Sequence, residues 1–196
     1  PPLMWVEALD FLFKQMREDG VPLYEVLAIS GSGQQHGSVY MNAQAAKALS
    51  ELDSDKDLKA NLKGIFSRET SPIWMDSSTR MECDEICESM GGMAVTAETT
   101  GSTTFERFTG PQIRKFHKDC SEAYAYTSSI GLVSSFMASV LAGRVAPIDY
   151  GDGAGMNLMD IRSRIWNQYA MEATAPDLVD KLPRLSESWE VVGEIS

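Results

Sequence analysis

The stretch of residues 31–37, which reads GSGQQHG, restricts the possible architecture of this chain strongly. It follows the apolar run of residues 26–29, whose length and β-branched content are typical of a buried strand. Open α/β sheets bind ligands at the carboxyl ends of their strands, where loops line a crevice with polar groups. The glycines allow a tight turn, while Gln34, Gln35 and His36 offer donors and acceptors that suit hydroxyl groups. We therefore expect a polar ligand site that suits a sugar better than a phosphate.

The composition indicates an ordinary soluble globular protein with an acidic surface. The chain has 196 residues, of which 43% are hydrophobic and 23% charged, and this length allows one large domain or two small ones. Its formal net charge of −11 repels nucleic-acid phosphates and anionic membrane surfaces. The uncharged run of residues 123–143 carries serines and tyrosines, so we interpret it as buried structure. We expect neither a nucleic-acid partner nor a membrane partner.

The cysteines indicate a reducing compartment. There are three of them, an odd number, and no C-x-x-C spacing is present. Cys83 and Cys87 lie four positions apart on a predicted helix, where they have no reason to be cross-linked. A cytoplasmic location is the simplest interpretation.

The pattern of apolar residues predicts an α/β class in which helices surround a central sheet. Residues 5–16 have the apolar spacing of a helix, and Gly20 is placed to end it. Short apolar runs between turn residues predict strands, and a threonine-rich loop is expected over residues 93–100. The predicted strands are residues 26–29, 38–41, 72–75, 130–133 and 191–195, and the further predicted helices are residues 43–49, about 80–90, 111–117 and 135–142.

Two charged residues allow both a structural and a ligand-binding interpretation. Asp76 follows a predicted strand, and its carboxylate could either cap the helix that begins near Arg80 or anchor a ligand hydroxyl, with capping slightly favoured. Arg107 lies between two phenylalanines and could pair with Glu106 or present a planar donor fork to a polar ligand. Residue chemistry alone favours the ion pair, because exposed arginines outnumber functional ones.

Several common chemistries are not supported by the motifs. There is no Walker A lysine motif, and Gly31 and Gly33 lack the third glycine of a dinucleotide fingerprint. His36 and His117 are the only histidines, and no G-x-S-x-G elbow is present. The spaced aspartates of residues 149–155 lack the register of a calcium loop, so we expect structural turns and no metal site. The residues alone therefore predict a polar ligand pocket but no particular reaction.

Four ordered segments carry a family resemblance. Residues 29–38, residues 72–79, residues 105–110, and residues 132–136 with 147–150 are similar, in this order, to the FGGY carbohydrate kinase family, and in particular to its eukaryotic members that act on xylulose. The resemblance implies a partial ribonuclease H-like, actin-like α/β domain. It also implies that all 196 residues belong to the N-terminal, sugar-binding domain, with the C-terminal domain absent from this chain.

The resemblance also implies a substrate and the residues that bind it. His36 would contact the sugar with Gln35 beside it, Arg107 would bind a sugar hydroxyl, and Asp76 would lie near the same pocket. The reaction would convert D-xylulose, or a similar ketose, and ATP into D-xylulose 5-phosphate and ADP, with Mg²⁺ balancing the phosphate charge.

Two motifs of the family are missing from this sequence. These are the Asp-Gly-x-Thr/Ser phosphate motif and the Gly-Asp-Asn segment that holds the catalytic aspartate. ATP and Mg²⁺ are therefore expected to bind mainly outside this chain, which alone should be largely inactive because aligned donor, metal and base are needed. The alternatives are a truncated, non-catalytic sugar-binding or interaction module, or a kinase for another sugar or polyol. Unpaired strand edges would favour self-association.

Overall fold

The computed structural model describes residues 1–195, which fold into short helices around a small central sheet. A 3-10 turn at Leu23–Glu25 follows the first helix. The elements are α1 (Leu3–Glu18), β1 (Ser38–Asn42), α2 (Ala45–Ser50), α3 (Leu58–Leu62), α4 (Arg80–Ser89), α5 (Met93–Thr100), α6 (Thr109–Asp119), α7 (Ser121–Tyr126), β2 (Thr127–Leu132), α8 (Val133–Ala142), β3 (Ile148–Asp149), α9 (Tyr150–Gly155), β4 (Met159–Asp160), β5 (Ile165–Trp166), α10 (Gln168–Thr174), α11 (Leu178–Lys181) and β6 (Leu185–Ser186).

The antiparallel pair β1 and β2 forms the centre of the fold. Ser38 lies opposite Leu132, and the register shifts at the far end between Met41 and Asn42. Ser67 donates a backbone hydrogen bond to the Tyr40 carbonyl at 3.0 Å, so a third extended segment follows the other edge of β1. Two smaller pairs complete the sheets, β3 with β6 in parallel and β4 with β5 antiparallel. The predicted strand at residues 38–41 is therefore confirmed, and the one at residues 130–133 is confirmed up to Leu132, because Val133 begins α8.

Alternate side chains of β1 supply two hydrophobic clusters on opposite faces of the sheet. Tyr40 enters a cluster with side chains of α4 and α6, whereas Val39 and Met41 enter a cluster with α1, α2 and α8. This alternation is the period of two that a strand imposes on its side chains. Helices therefore cover both faces of the sheet, as the predicted α/β class requires. No helix among residues 1–195 has both the length and the apolar character needed to cross a bilayer.

Three of the predicted strands are wrong. Residues 26–29 lie outside any strand, and Leu27 is 100% exposed. Residues 72–75 end in a turn that leaves Trp74 exposed, and residues 191–195 are largely exposed without strand pairing. An apolar run becomes a strand only where a neighbouring backbone pairs with it, and within residues 1–195 no strand lies beside these segments.

The predicted threonine-rich loop is also wrong, because those residues form α5. Gly92 and Gly101 bound this helix with positive φ angles of 102° and 88°, and Gly101 is its left-handed C-cap. The hydroxyls of Thr96 and Thr100 donate to the carbonyls of Gly92 and Thr96, each at 3.0 Å. Threonine disfavours a helix when its hydroxyl competes with the backbone, and here both hydroxyls bond within the helix.

Candidate functional site

The loop of residues 31–37 is fixed against the first turn of α8. The Val133 amide donates to the Gly37 carbonyl at 3.0 Å. A Cβ added to Gly33 would lie 2.5 Å from the Ser134 backbone nitrogen, so the two backbones are in direct contact there. The close approach of the loop to α8 therefore requires a glycine at position 33.

His36 occupies the tip of this loop with a left-handed backbone, at φ 60°. Its half-buried ring lies 5.1 Å from the ring of Phe108, and it hydrogen-bonds to the backbone of Gly155. Burial lowers the pKa of the imidazole below 6.5, and the positive charge of Arg107 lowers it further, while the Gly155 bond raises it in part. His36 is consequently neutral at neutral pH.

Arg107 is half-buried and lies against Phe105, the neighbour of Phe108. Its Cζ is 4.3 Å from the centroid of Phe105, whose ring is 5.9 Å from that of Phe108. The two phenylalanine rings therefore link Arg107 to His36, although the two residues lie on separate segments of the sequence. Gln35 is exposed in the turn next to His36.

Asp76 organises the turn that precedes α4. Its Oδ1 accepts hydrogen bonds from the amide of Ser78 at 2.8 Å and from its hydroxyl at 2.7 Å. Burial raises the pKa of the carboxyl, but the bonds from Ser78 and Gln112 and the charge of Arg68 outweigh it, so the pKa lies below its usual value. The capping interpretation is wrong, because the N-cap residue of α4 is Thr79.

Gln112 connects Asp76 to the segment that carries Arg107. Its Nε2 donates to the Glu106 carbonyl at 3.1 Å, and its side chain also interacts with Asp76. The hydroxyl of Thr79 donates to the same carbonyl. Asp76 is therefore connected, through Gln112, to the carbonyl of Glu106, which is the residue before Arg107.

Arg68 is a neighbour of this site that the sequence analysis did not identify. Its guanidinium carbon lies 5.1 Å from the Tyr40 centroid and 5.0 Å from the Phe116 centroid, so the group is held between two rings. Its Nη1 is buried without a hydrogen-bond partner. No local sequence signal predicts this arrangement, because the two rings come from β1 and α6.

The glycine-rich segment of residues 149–155 is a strand end followed by a helix, so the predicted structural turns are wrong: Asp149 ends β3 and residues 150–155 form α9. Asp149 caps α9 by accepting hydrogen bonds from the amides of Gly151 at 2.8 Å and Asp152 at 3.2 Å. Among the residues that the structure describes, no group of three or more His, Cys, Asp or Glu side chains could hold a metal ion. The donors assembled around His36 and Arg107 suit a neutral polyhydroxylated ligand.

Curated relatives match the whole chain. It is 50% identical over 196 residues to "Xylulose kinase 2" of Arabidopsis thaliana, and 47% identical over 196 residues to "Xylulose kinase" of Rattus norvegicus. All of the chain is covered in both comparisons, but only 35% and 37% of those proteins. The chain thus spans about a third of the length of the curated relatives it matches.

Solved structures share the fold. A "xyloylose kinase" from Brucella ovis aligns with a TM-score of 0.80 at 20% identity, covering 100% of this chain and 36% of that one. A glycerol kinase from Plasmodium falciparum aligns with a TM-score of 0.73 at 14% identity, covering 100% and 36%. These likenesses confirm the predicted ribonuclease H-like, actin-like α/β class, present here as part of a domain. The model of the N-terminal domain of FGGY carbohydrate kinases matches residues 70–196, and the chain therefore belongs to the FGGY family of carbohydrate kinases.

Proposed function

We propose that the whole protein to which this chain belongs transfers a phosphoryl group from ATP to a ketopentose, converting D-xylulose into D-xylulose 5-phosphate. The observation that carries the proposal is that His36 lies against Phe108 and Arg107 against Phe105, two rings whose centroids are 5.9 Å apart. The names of the two relatives described above support D-xylulose as the sugar. Residues 1–196 would form part of the sugar-binding N-terminal domain.

His36 and Arg107 could bind the same hydroxyl group, one as an acceptor and the other as a donor. A neutral imidazole donates through one ring nitrogen and accepts through the other, so His36 offers an acceptor to a hydroxyl group. Arg107 can only donate. A sugar hydroxyl could therefore donate its proton to His36 while its oxygen accepts from Arg107. Gln35 and Asp76 would contact further hydroxyls from the same side.

The proposal assigns this chain to sugar binding and not to phosphoryl transfer. ATP would supply the phosphoryl group, and Mg²⁺ would neutralise phosphate charge during transfer. As the family resemblance implies, Mg²⁺, the ATP phosphates and the catalytic base would lie mainly outside this chain, and among the described residues no group of three or more His, Cys, Asp or Glu side chains could hold a metal ion. The chain alone would then bind sugar with little or no turnover.

The remaining parts of the proposal concern partners and location. A ketose would be the ligand, and the net charge of −11 argues against nucleic acid and anionic membranes as partners. Cys83, Cys87 and Cys120 are all free, which supports a cytoplasmic location.

An ADP-release assay on the full-length gene product with several ketoses tests the function. We expect a preference for D-xylulose, and we expect His36→Ala and Arg107→Ala to raise its KM by about ten- to a hundredfold through loss of hydrogen bonds. His117→Ala is the matched control, because His117 packs against Tyr124, with ring centroids 4.9 Å apart. No preference for D-xylulose among the ketoses would refute the proposal.

A further inference from the structure

Three consecutive residues at the end of α9 contact both segments that carry the proposed sugar ligands. Gly155 lies beside His36, because a Cβ added to Gly155 would be 3.8 Å from the Cε1 atom of that ring. The carbonyl of the next residue, Met156, accepts from the amide of Gly110 at 3.0 Å, just beyond the segment that carries Arg107. Asn157 then reaches the beginning of that same segment. A single short stretch of backbone therefore connects the two halves of the site.

Asn157 makes the connection through its side-chain amide. It is 1% exposed, and its Nδ2 donates to the Thr100 hydroxyl at 2.6 Å and to the Ser102 carbonyl at 3.1 Å. The Ser102 hydroxyl lies 3.4 Å from the same nitrogen. These residues end α5 and begin the loop of residues 101–108. The loop is thus held at its start by Asn157 and just beyond its end by Met156.

The geometry at Asn157 allows few substitutes. Its φ of 65° is left-handed, a conformation that asparagine and glycine adopt more readily than other residues. Its Oδ1 is buried without a partner, and the opposite amide orientation would place this oxygen against the Ser102 carbonyl. The hydrogen bonds that Nδ2 donates therefore fix the orientation of the amide, although its buried Oδ1 stays without a partner.

We infer that Asn157 is a positioning residue of the sugar site, which holds the loop that carries Arg107 at a fixed distance from His36. The inference rests on the proposed function. Loss of the amide would free the start of the loop at Ser102, while Thr104 would keep its bond to the Cys83 carbonyl and the Glu106 carbonyl its bonds from Thr79 and Gln112. The position of Arg107 would then be set by these remaining bonds, and a shift away from His36 would cost the hydroxyl that both are proposed to bind one of its two partners.

The test is Asn157→Gly in the full-length protein. Glycine keeps the left-handed backbone but removes the amide. We expect the KM for D-xylulose to rise about tenfold while the KM for ATP stays within about twofold, since misplacement of a binding group weakens only the interaction it makes. We also expect the titration midpoint of the His36 imidazole, followed by NMR without sugar, to rise as Arg107 moves away. Asn157→Asp, which is isosteric but places an oxygen against Ser102, should give the same changes.

Asn61→Ala provides the matched control. The Nδ2 of Asn61 in α3 also donates to backbone carbonyls, including those of Asp53 and Asp57 at 3.0 Å each, which lie between α2 and α3. This variant should lower the melting temperature without changing either readout. An unchanged KM for D-xylulose together with an unchanged His36 titration in Asn157→Gly would overturn the inference, as would equal changes in Asn61→Ala.

The two proposals fail in different ways. If the wild-type protein does not phosphorylate D-xylulose, the proposed function is wrong, and the NMR titration still decides the inference. If the wild type is active and the titration of His36 is the same in Asn157→Gly, the inference is wrong while the proposed function stands. A higher KM in Asn157→Gly but not in Asn61→Ala, with a shifted titration, supports both.

Discussion

The ring of His36 lies 5.1 Å from the ring of Phe108, at an interplanar angle of 38°. Burial in these surroundings is the main reason that the pKa of His36 is lowered from 6.5, and the charge of Arg107 is the second. At pH values between the lowered pKa of the folded state and 6.5, the unfolded chain binds more protons at His36 than the folded chain does. Acidification through this window must therefore reduce the free energy of unfolding.

The pH dependence of stability follows from this relationship. We expect the wild-type chain to lose more stability than His36→Gln between about pH 7 and about pH 5, because glutamine cannot take up the proton that destabilises the folded state. Urea unfolding at both pH values measures the difference. Arg107→Gln, which removes the second cause, should show a smaller loss than wild type. Equal losses in wild type and His36→Gln would contradict this prediction.

The two glycines at the start of the loop should respond differently to alanine. At Gly33 a Cβ would lie 2.5 Å from the Ser134 nitrogen, whereas at Gly31 it would meet nothing within 4 Å. We expect Gly33→Ala to lower the free energy of unfolding by about 1–3 kcal/mol, because a backbone must shift. Gly31→Ala should change it by less than about 0.5 kcal/mol. Denaturant unfolding of both variants is the measurement, and equal stabilities would show that the loop does not contact α8 as described.

The sequence could predict β1 and β2 because each finds its partner within the chain. The strand predicted at residues 26–29 does not form for the converse reason. Apolar residues favour burial, but their presence does not show that another strand is available to pair with them. The prediction from sequence also failed at α5, where the threonine hydroxyls bond within the helix and the bounding glycines supply its ends. Composition alone could not reveal either arrangement.

The candidate site was predictable only in part. His36 and Arg107 followed from the family resemblance, and in the structure they lie against the neighbouring rings of Phe108 and Phe105. Gly155 and Arg68 could not be found in this way, because their roles depend on the approach of segments far apart in the chain. Arg68 in particular lies in a charged and polar stretch, and only the rings of Tyr40 and Phe116 make it part of the site's surroundings.

Asp152 and Asp160 should change stability with pH in opposite directions. Burial raises the pKa of Asp152, helped by the charge of Asp149 and opposed by the hydrogen bond from Ser134. The folded state therefore holds a proton more readily than the unfolded one, and wild type should gain stability relative to Asp152→Asn as the pH falls from about 7 to about 4. Urea unfolding of both proteins over this range measures the trend.

Asp160 is the control for Asp152. Hydrogen bonds lower the pKa of Asp160 from 3.8, and the bond from the Ser163 amide has the largest effect. The carboxylate therefore stabilises the fold above pH 3.8, and this contribution is lost as the pH falls through the lowered pKa. Wild type should therefore lose stability relative to Asp160→Asn toward low pH. The same slope in both comparisons would show that burial does not govern Asp152.

Two exposed segments outside the sheets should cause self-association of the chain of residues 1–196. Leu27 is 100% exposed and Val191 is 84% exposed, and Ile29 and Val192 line the same cavity beside Met137 of α8. Both segments expose apolar side chains and pair with no strand among the described residues, so they form a surface on which another chain can pair. We expect light scattering to show association that increases with protein concentration.

Charge at these segments should reverse the association. The double variant Leu27→Lys and Val191→Lys should scatter as a monomer, because lysine on an exposed strand edge opposes pairing. Phe11→Lys is the matched control, since Phe11 is 68% exposed on α1, where the backbone amides are already bonded within the helix. It should leave the association unchanged if backbone pairing is the cause. A monomeric wild type at all concentrations, or dissociation caused equally by Phe11→Lys, would exclude pairing at these segments.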